Sequence, residues 1–234
     1  MKVAKKVVVL SLGGSLIVPD KVDYKFLEKL RKVLIKNKDQ YKFIVVCGGG
    51  NPSRVYINGL NEEKIKESKK ERFQCLLGIS ITRLNARLLT YFFGKDANEG
   101  IPHDMKHVES LLQKNDFVFC GALRYHKKET SDATAAKLAN FFNCEFINMT
   151  NVKGLFDKDP KRFKNAKLIN DISPKDFLKM TKKQVFKPGQ HFVLDQKAAK
   201  IIKRHKIPTY IIGSDMNNFD NLLNKKHFVG TIIG

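Results

Sequence analysis

Two glycine runs are the residues best placed to do chemistry. Ser11-Leu-Gly-Gly-Ser15 closes the apolar run from Val7, and Gly48-Gly-Gly50 closes the run from Phe43. Gly13 and Gly14 can turn through conformations closed to other residues, and they leave room for a bulky anion. Successive N–H groups in such a loop form a nest for phosphate oxygens. Behind the second run, Asn51 suits a helix N-cap and Pro52 the first turn, so a helix is expected to open there. Its N-terminus would offer unpaired N–H donors and the positive dipole end to a phosphate. A single strand ending in glycines is a common turn, whereas two in one chain favour a phosphate site.

Acidic and hydroxyl side chains stand at two further strand ends. Thr130-Ser131-Asp132 follows a strand expected over Asp116 to Leu123 and a basic loop from Arg124 to Lys128. Thr130 or Ser131 can cap the next helix, and Asp132 falls in its first turn, where the helix dipole alone accounts for an acid. Thr150 to Pro160 is polar and punctuated by Gly154 and Pro160, and it directly follows a strand expected over Glu145 to Met149. Open α/β sheets bind ligands at such ends. No G-x-x-x-x-G-K-[ST] loop, no G-x-G-x-x-G with an acid on the next strand, no zinc-ligand cluster and no G-x-S-x-G elbow is present. What remains suits phosphoryl transfer, in which a protein mainly positions two phosphates and neutralises charge.

The elements that must position these loops alternate between strands and helices. Val22, Phe26, Leu27, Leu30, Val33 and Leu34 predict an amphipathic helix over 22–37. The charged stretch Asn61 to Arg72 reads as a loop or an exposed lead-in to a long helix over Phe73 to Phe93. Within that helix Thr82, Arg83 and Asn85 are polar in an apolar setting, so they need partners if buried. They would serve either as glue between helices or subunits, or as support for a nucleotide pocket. A short helix is expected from Pro174 to Met180, a basic loop long enough to be a lid from Lys182 to Leu194, and a helix from Asp195 to His205. A strand over 208–212, a helix over 218–223 and a strand over 228–233 complete the chain. The alternation predicts an α/β fold with a mostly parallel sheet between two helix layers.

The formal charge of +21 invites a nucleic-acid reading, but only eight of the 44 basic residues are Arg and the Lys are scattered. Arg makes the bidentate contacts that read bases and phosphates, so specific nucleic-acid recognition is not expected. A surplus of this size still attracts anionic metabolites and loosely held RNA at low salt. Cys47, Cys75, Cys120 and Cys144 stand far apart without a C-x-x-C pair, which fits a reduced, cytoplasmic chain. The Lys-rich, then apolar start imitates a signal peptide, but Gly13-Gly14 interrupts it and no small-x-small cleavage site follows. No run of about 18 apolar residues exists, so no membrane span is expected.

Six pieces in order resemble the amino-acid kinase family, and within it the archaeal-type uridylate kinases. They are Ser11 to Ser15, Gly48 to Gly50 with Arg54, Ile81-Thr-Arg-Leu-Asn-Ala86, Thr130 to Ala133, Thr150 to Gly154 with Asp157 to Pro160, and Asp195 to Lys200. A closing Gly230-Thr-Ile-Ile completes the match. The resemblance implies one three-layer domain over 1–234, with an acceptor-binding lobe to about 140 and an ATP-binding lobe beyond. It implies Mg²⁺-assisted transfer of the ATP γ-phosphate to UMP, and a homo-oligomer, a hexamer built as a trimer of dimers. By matched position, Ser11, Leu12, Gly13, Gly14, Ser15 and Gly50 would cradle the ATP phosphates, with Arg54 adding charge. Thr150, Asn151, Phe156 and Asp159 would hold the adenosine side. Gly49, Cys75, Gly121, Ala122, Leu123, Thr130 and Ser131 would hold UMP, Arg54 and Asp132 would serve catalysis, and no side chain is assigned to a metal.

Three positions depart from the family pattern. Cys75 falls where an acid usually meets the UMP ribose. The acceptor loop reads Gly121-Ala-Leu-Arg-Tyr-His126 rather than Gly-Gly-Thr with a Pro-Gly, and Ser11 stands where many members carry Lys. Other readings stay open: a family phosphotransferase acting on isopentenyl phosphate, a phosphonate or a carboxylate such as acetylglutamate, or a nucleotide-binding regulator without turnover.

Overall fold

The computed structural model describes residues 4–61, 65–127, 129–160, 162–182 and 193–234. Among the described residues seven strands form one sheet: β1 (Lys6–Leu12), β2 (Tyr41–Cys47), β3 (Phe117–Cys120), β4 (Glu145–Met149), β5 (Asp171–Ile172), β6 (Thr209–Ile212) and β7 (Gly230–Ile233). Their order across the sheet is β3-β2-β1-β4-β6-β7-β5. The pairs β3–β2, β2–β1, β1–β4 and β4–β6 are parallel, β6–β7 is antiparallel, and β5 runs parallel to β7. Val8, Val9, Leu10, Ser11 and Leu12 are all buried, as a central parallel strand covered on both faces requires.

Helices α1 (Gly14–Ile17), α2 (Tyr24–Lys36), α3 (Gly50–Gly59), α4 (Glu67–Phe93), α5 (Met105–Lys114), α6 (Ser131–Phe141), α7 (Pro174–Lys182), α8 (Gln196–His205) and α9 (Met216–Leu223) complete the chain. Leu27, Leu30 and Leu34 of α2 share one core with Phe93 of α4 and Phe219 of α9. Val108 of α5, Leu138 of α6, Phe177 of α7 and Ile202 of α8 share another with Val9, Ile44 and Phe146. Since alternate strand residues feed the two cores, the sheet lies between two helix layers, the expected three-layer α/β arrangement. Each fully buried Leu, Ile or Phe contributes about 1.5–3 kcal/mol before chain entropy is subtracted.

The elements differ from expectation in instructive places. α4 starts at Glu67, so the second half of the charged stretch is its first turns. α3 is not capped by Asn51: its N-cap is Gly49, without a side-chain cap. Gly50 at φ +66° makes the turn before Asn51, and the Asn51 side-chain Oδ1 instead accepts from Arg54 Nη2 at 3.4 Å. α5 has no counterpart in the sequence expectation, which leaves 94–115 unassigned. It is capped by Asp104, which accepts from the His107 N–H at 2.9 Å. β5 is two residues long and offers no period to read. Of the stretch from Lys182 to Leu194 expected to form a lid, 183–192 lies outside the described residues. Among the described residues no helix is long and apolar enough to cross a membrane.

Candidate active site

The parallel register brings four strand ends level. Leu12 pairs with Cys47 on one side and Met149 on the other, and Met149 with Ile212. The loops that leave them therefore emerge side by side. The Gly48 N–H donates to Leu12 O at 2.8 Å, and the Gly13 N–H to Met149 O at 2.9 Å. The two glycine runs touch: a Cβ on Gly14 would lie 2.1 Å from Gly50 N and 2.6 Å from Gly48 C. Close approach explains the glycines of the first run better than unusual dihedrals do, since Gly13 has an ordinary φ of −53°.

Three polar side chains of α4 brace these loops from behind. Asn85 Nδ2 donates to Gly48 O at 2.7 Å and to Gly49 O at 3.3 Å. Thr82 Oγ1 accepts from the Ala122 N–H at 3.0 Å and donates to Ile79 O at 2.7 Å. Arg83 donates from Nε to Ala122 O at 3.1 Å and from Nη2 to Leu123 O. Their partners lie on the loops that border the cavity described next, which matches the pocket-support alternative.

Opposite the glycines, α6 and α8 present their N-termini. Thr130 caps α6, its Oγ1 accepting from the Asp132 N–H at 3.2 Å, and donates to Asp195 Oδ2. Asp195 Oδ1 caps α8, accepting from the N–H groups of Lys197 at 2.6 Å and Ala198 at 2.8 Å. Ser11 Oγ donates to Asp132 Oδ1 at 2.7 Å, tying the first glycine run to α6. Burial, and next the Asp195 charge, push the Asp132 carboxyl up to about 7, against the opposing Ser11 hydrogen bond. Burial also pushes the Cys75 thiol up, and the nearby Glu71 charge adds to it, so Cys75 is a neutral group.

A cavity of about 340 Å³ lies between the glycine runs and these helix ends. It gathers most of the residues singled out from sequence: Ser11 to Ser15, Gly49, Gly50, Arg54, Cys75, Ala122, Thr130 to Asp132, Thr150 and Asn151. Four others do not line it. Gly121 packs against α4, where a Cβ would meet Thr82 Oγ1 at 2.5 Å, and Leu123 is buried in the core. Phe156 bridges to Leu168 in the loop after β4, and Asp159 forms an ion pair with Arg162 at 3.5 Å. The wall also includes Gln74, Asn148, Asp195, Lys197 and Lys200, none of them among the site residues expected from sequence. Asn148 had a signal, a polar residue between Ile147 and Met149 in a strand buried on both faces. Asp195 had one as well, at the head of a helical pattern. Among the described residues no group of three or more His, Cys, Asp or Glu side chains stands ready to hold a metal.

The geometry sets the backbone of both glycine runs across one cavity from the Asp132 and Asp195 side chains and from two lysines, Lys197 and Lys200. Known proteins resemble the chain in sequence and fold. The pattern of the amino acid kinase family matches residues 6–213. Uridylate kinase from Thermococcus kodakarensis is 33% identical over 228 residues, covering 97% of this chain and 98% of its own. The crystal structure of uridylate kinase from Archaeoglobus fulgidus superposes with a TM-score of 0.82 at 34% identity, covering 97% of this chain and 99% of that one. UMP kinase from Ureaplasma parvum shares the fold at a TM-score of 0.77 and 19% identity, covering 99% and 100%.

Proposed function

The chain belongs to the amino acid kinase family, and on that footing we propose that it is a UMP kinase, transferring the γ-phosphate of ATP to UMP to give UDP. The observation that carries the acceptor is the end-to-end likeness to archaeal uridylate kinases at 33–34% identity. The site supports the reaction class, because both glycine runs and Asp132 share one cavity.

In this reading the N–H groups of Gly14, Ser15 and Gly50 receive the ATP phosphates, with Gly13, whose own N–H is held by Met149 O, leaving room for them and Arg54 adding charge from α3. The loop after β4, from Thr150 through Asn151 to Phe156 and Asp159, borders the adenosine. UMP occupies the side of Gly49, Cys75 and the stretch Gly121, Ala122, Leu123, Thr130 and Ser131. The half of the chain to about 140 thus serves the acceptor and, through its glycine runs, the ATP phosphates, while the rest serves the adenosine side of ATP. A phosphate acceptor is already ionised near neutrality, so no side chain need take its proton. Catalysis then comes from alignment of the two phosphates and from charges fixed in advance. Asp132, held by Ser11 and by the α6 N-terminus, orients the transfer site.

The carboxylates on this wall, Asp132 and Asp195 among them, are oxygen donors of the kind that suits a hard cation such as Mg²⁺. Bound with ATP, it would supply neutralisation of phosphate charge. Assembly as a homo-oligomer, a hexamer of three dimers, draws support from apolar side chains exposed on α3 and α4, among them Val55, Tyr56, Leu84 and Tyr91. A cytoplasmic place in pyrimidine nucleotide synthesis follows from the reaction.

The test is ADP release with ATP and Mg²⁺ against UMP, CMP, dUMP, isopentenyl phosphate and acetylglutamate. Turnover with UMP well above the others is the expected result. ATP binding without turnover on any of them would overturn the proposal in favour of a regulator.

A further inference from the structure

We propose that Arg83 is a positioning residue for the acceptor, setting the orientation of the 121–124 backbone; this rests on the UMP kinase reading for the identity of the acceptor. Arg83 does not line the cavity, but its guanidinium donates to two consecutive carbonyls, Ala122 O and Leu123 O. One turn of that loop is also fixed on its other flank, since the Ala122 N–H donates to Thr82 Oγ1. Gly121 presses so closely on α4 that a Cβ there would lie 2.6 Å from Arg83 N. Three consecutive residues are thus held to one helix by its backbone surface, a hydroxyl and a guanidinium.

The orientation has a chemical consequence. In a trans peptide the C=O and the following N–H point in opposite directions across one plane. Holding Ala122 O and Leu123 O against Arg83 turns the N–H groups of Leu123 and Arg124 to the opposite side of the loop. Neither donates to another protein group among the described residues. Leu123 and Arg124 do not themselves line the cavity, so these two adjacent donors reach an anionic group from beside Ala122, which does. A planar guanidinium can hold two carbonyls at once in a fixed fork, which an ammonium cannot. Arg is therefore required at 83 for geometry, although it never touches the acceptor. The sequence alone hides this, because Arg83 stands 40 residues from the loop it orders and on a helix whose apolar residues suggest packing.

Steady-state kinetics of R83Q and R83K, with UMP and ATP varied separately, test the inference. R83Q is expected to raise KM for UMP about tenfold or more while KM for ATP stays within about twofold, with R83K between. An unchanged KM for UMP, or equal losses for both substrates, would overturn it. Limited trypsin digestion gives a second readout that needs no acceptor. Cleavage after Arg124 and Lys127 should accelerate in R83Q, with other cuts and the thermal midpoint nearly unchanged. Uniform acceleration would mean a general loss of stability, and an unchanged rate would mean that Arg83 does not order the loop; either defeats the inference. If wild type fails to turn over UMP while R83Q still exposes Arg124, the function proposal falls and the ordering role of Arg83 stands.

Discussion

Asp132 shows how much one carboxylate depends on its surroundings. Its ordinary value is 3.8, and burial with the Asp195 charge raises it to about 7. In the ligand-free protein Asp132 therefore keeps its proton through a range in which the unfolded chain has released it. The folded state binds more protons between those two values, so this group's contribution to stability falls as pH rises from 4 to 7. The D132N variant lacks that term. Urea denaturation at pH 5 and pH 8 should show wild type losing stability relative to D132N, by roughly 2–4 kcal/mol. Parallel changes in the two proteins would mean that Asp132 titrates as an ordinary carboxyl. The same substitution keeps the shape and the Ser11 contact yet removes the charge, so kcat should fall steeply while ATP still binds.

At the scale of elements, α4 does more than cover the sheet. One stretch of it holds both the second glycine run, through Asn85, and the acceptor loop, through Thr82 and Arg83. Asn85 is buried, with 4% of its surface exposed, and so is its bond to Gly48 O. N85A should cost about 1–3 kcal/mol in chemical denaturation, because the carbonyl loses its partner away from water. N85D restores size but not the donor, so it should be no better than N85A; recovery in N85D would assign the effect to packing. Both variants should weaken nucleotide binding, since Gly48 and Gly14 are in contact and a shift of one loop moves the other.

For the whole molecule, the surface carries two features the core does not use. Lys-rich charge of +21 spreads over it, and apolar side chains stand out on α3 and α4, with Leu84 60% and Tyr91 72% exposed. Leu84 and Tyr91 are two helical turns apart on one face. Analytical ultracentrifugation should find an oligomer for wild type and a smaller species for the L84E/Y91E double variant. A monomeric wild type would defeat the assembly reading. RNA binding, where it occurs, should weaken steeply with salt, as expected when dispersed lysines neutralise phosphates.

The sequence by itself determined the strands and the loops that end them. A parallel strand buried on both faces must be a continuous apolar run, and a close backbone crossing admits only glycine, so both leave local marks. β1, β2 and β4 with their glycine and Thr150 ends were legible for that reason, whereas the α6 cap stayed open between Thr130 and Ser131 and Asp195 was read as the first helical residue rather than as the cap it is. α5 was not, because its apolar set is short, and β5 was not, because two residues carry no period. Pairing across the chain was decided only by tertiary structure. Ser11 meets Asp132 across 121 residues, and Arg83 meets Leu123 across 40. Neither contact has a local signature, since each depends on how the register aligns strand ends and on which helix face turns toward them. The residue types of the site were written in the chain; their partners came from the fold.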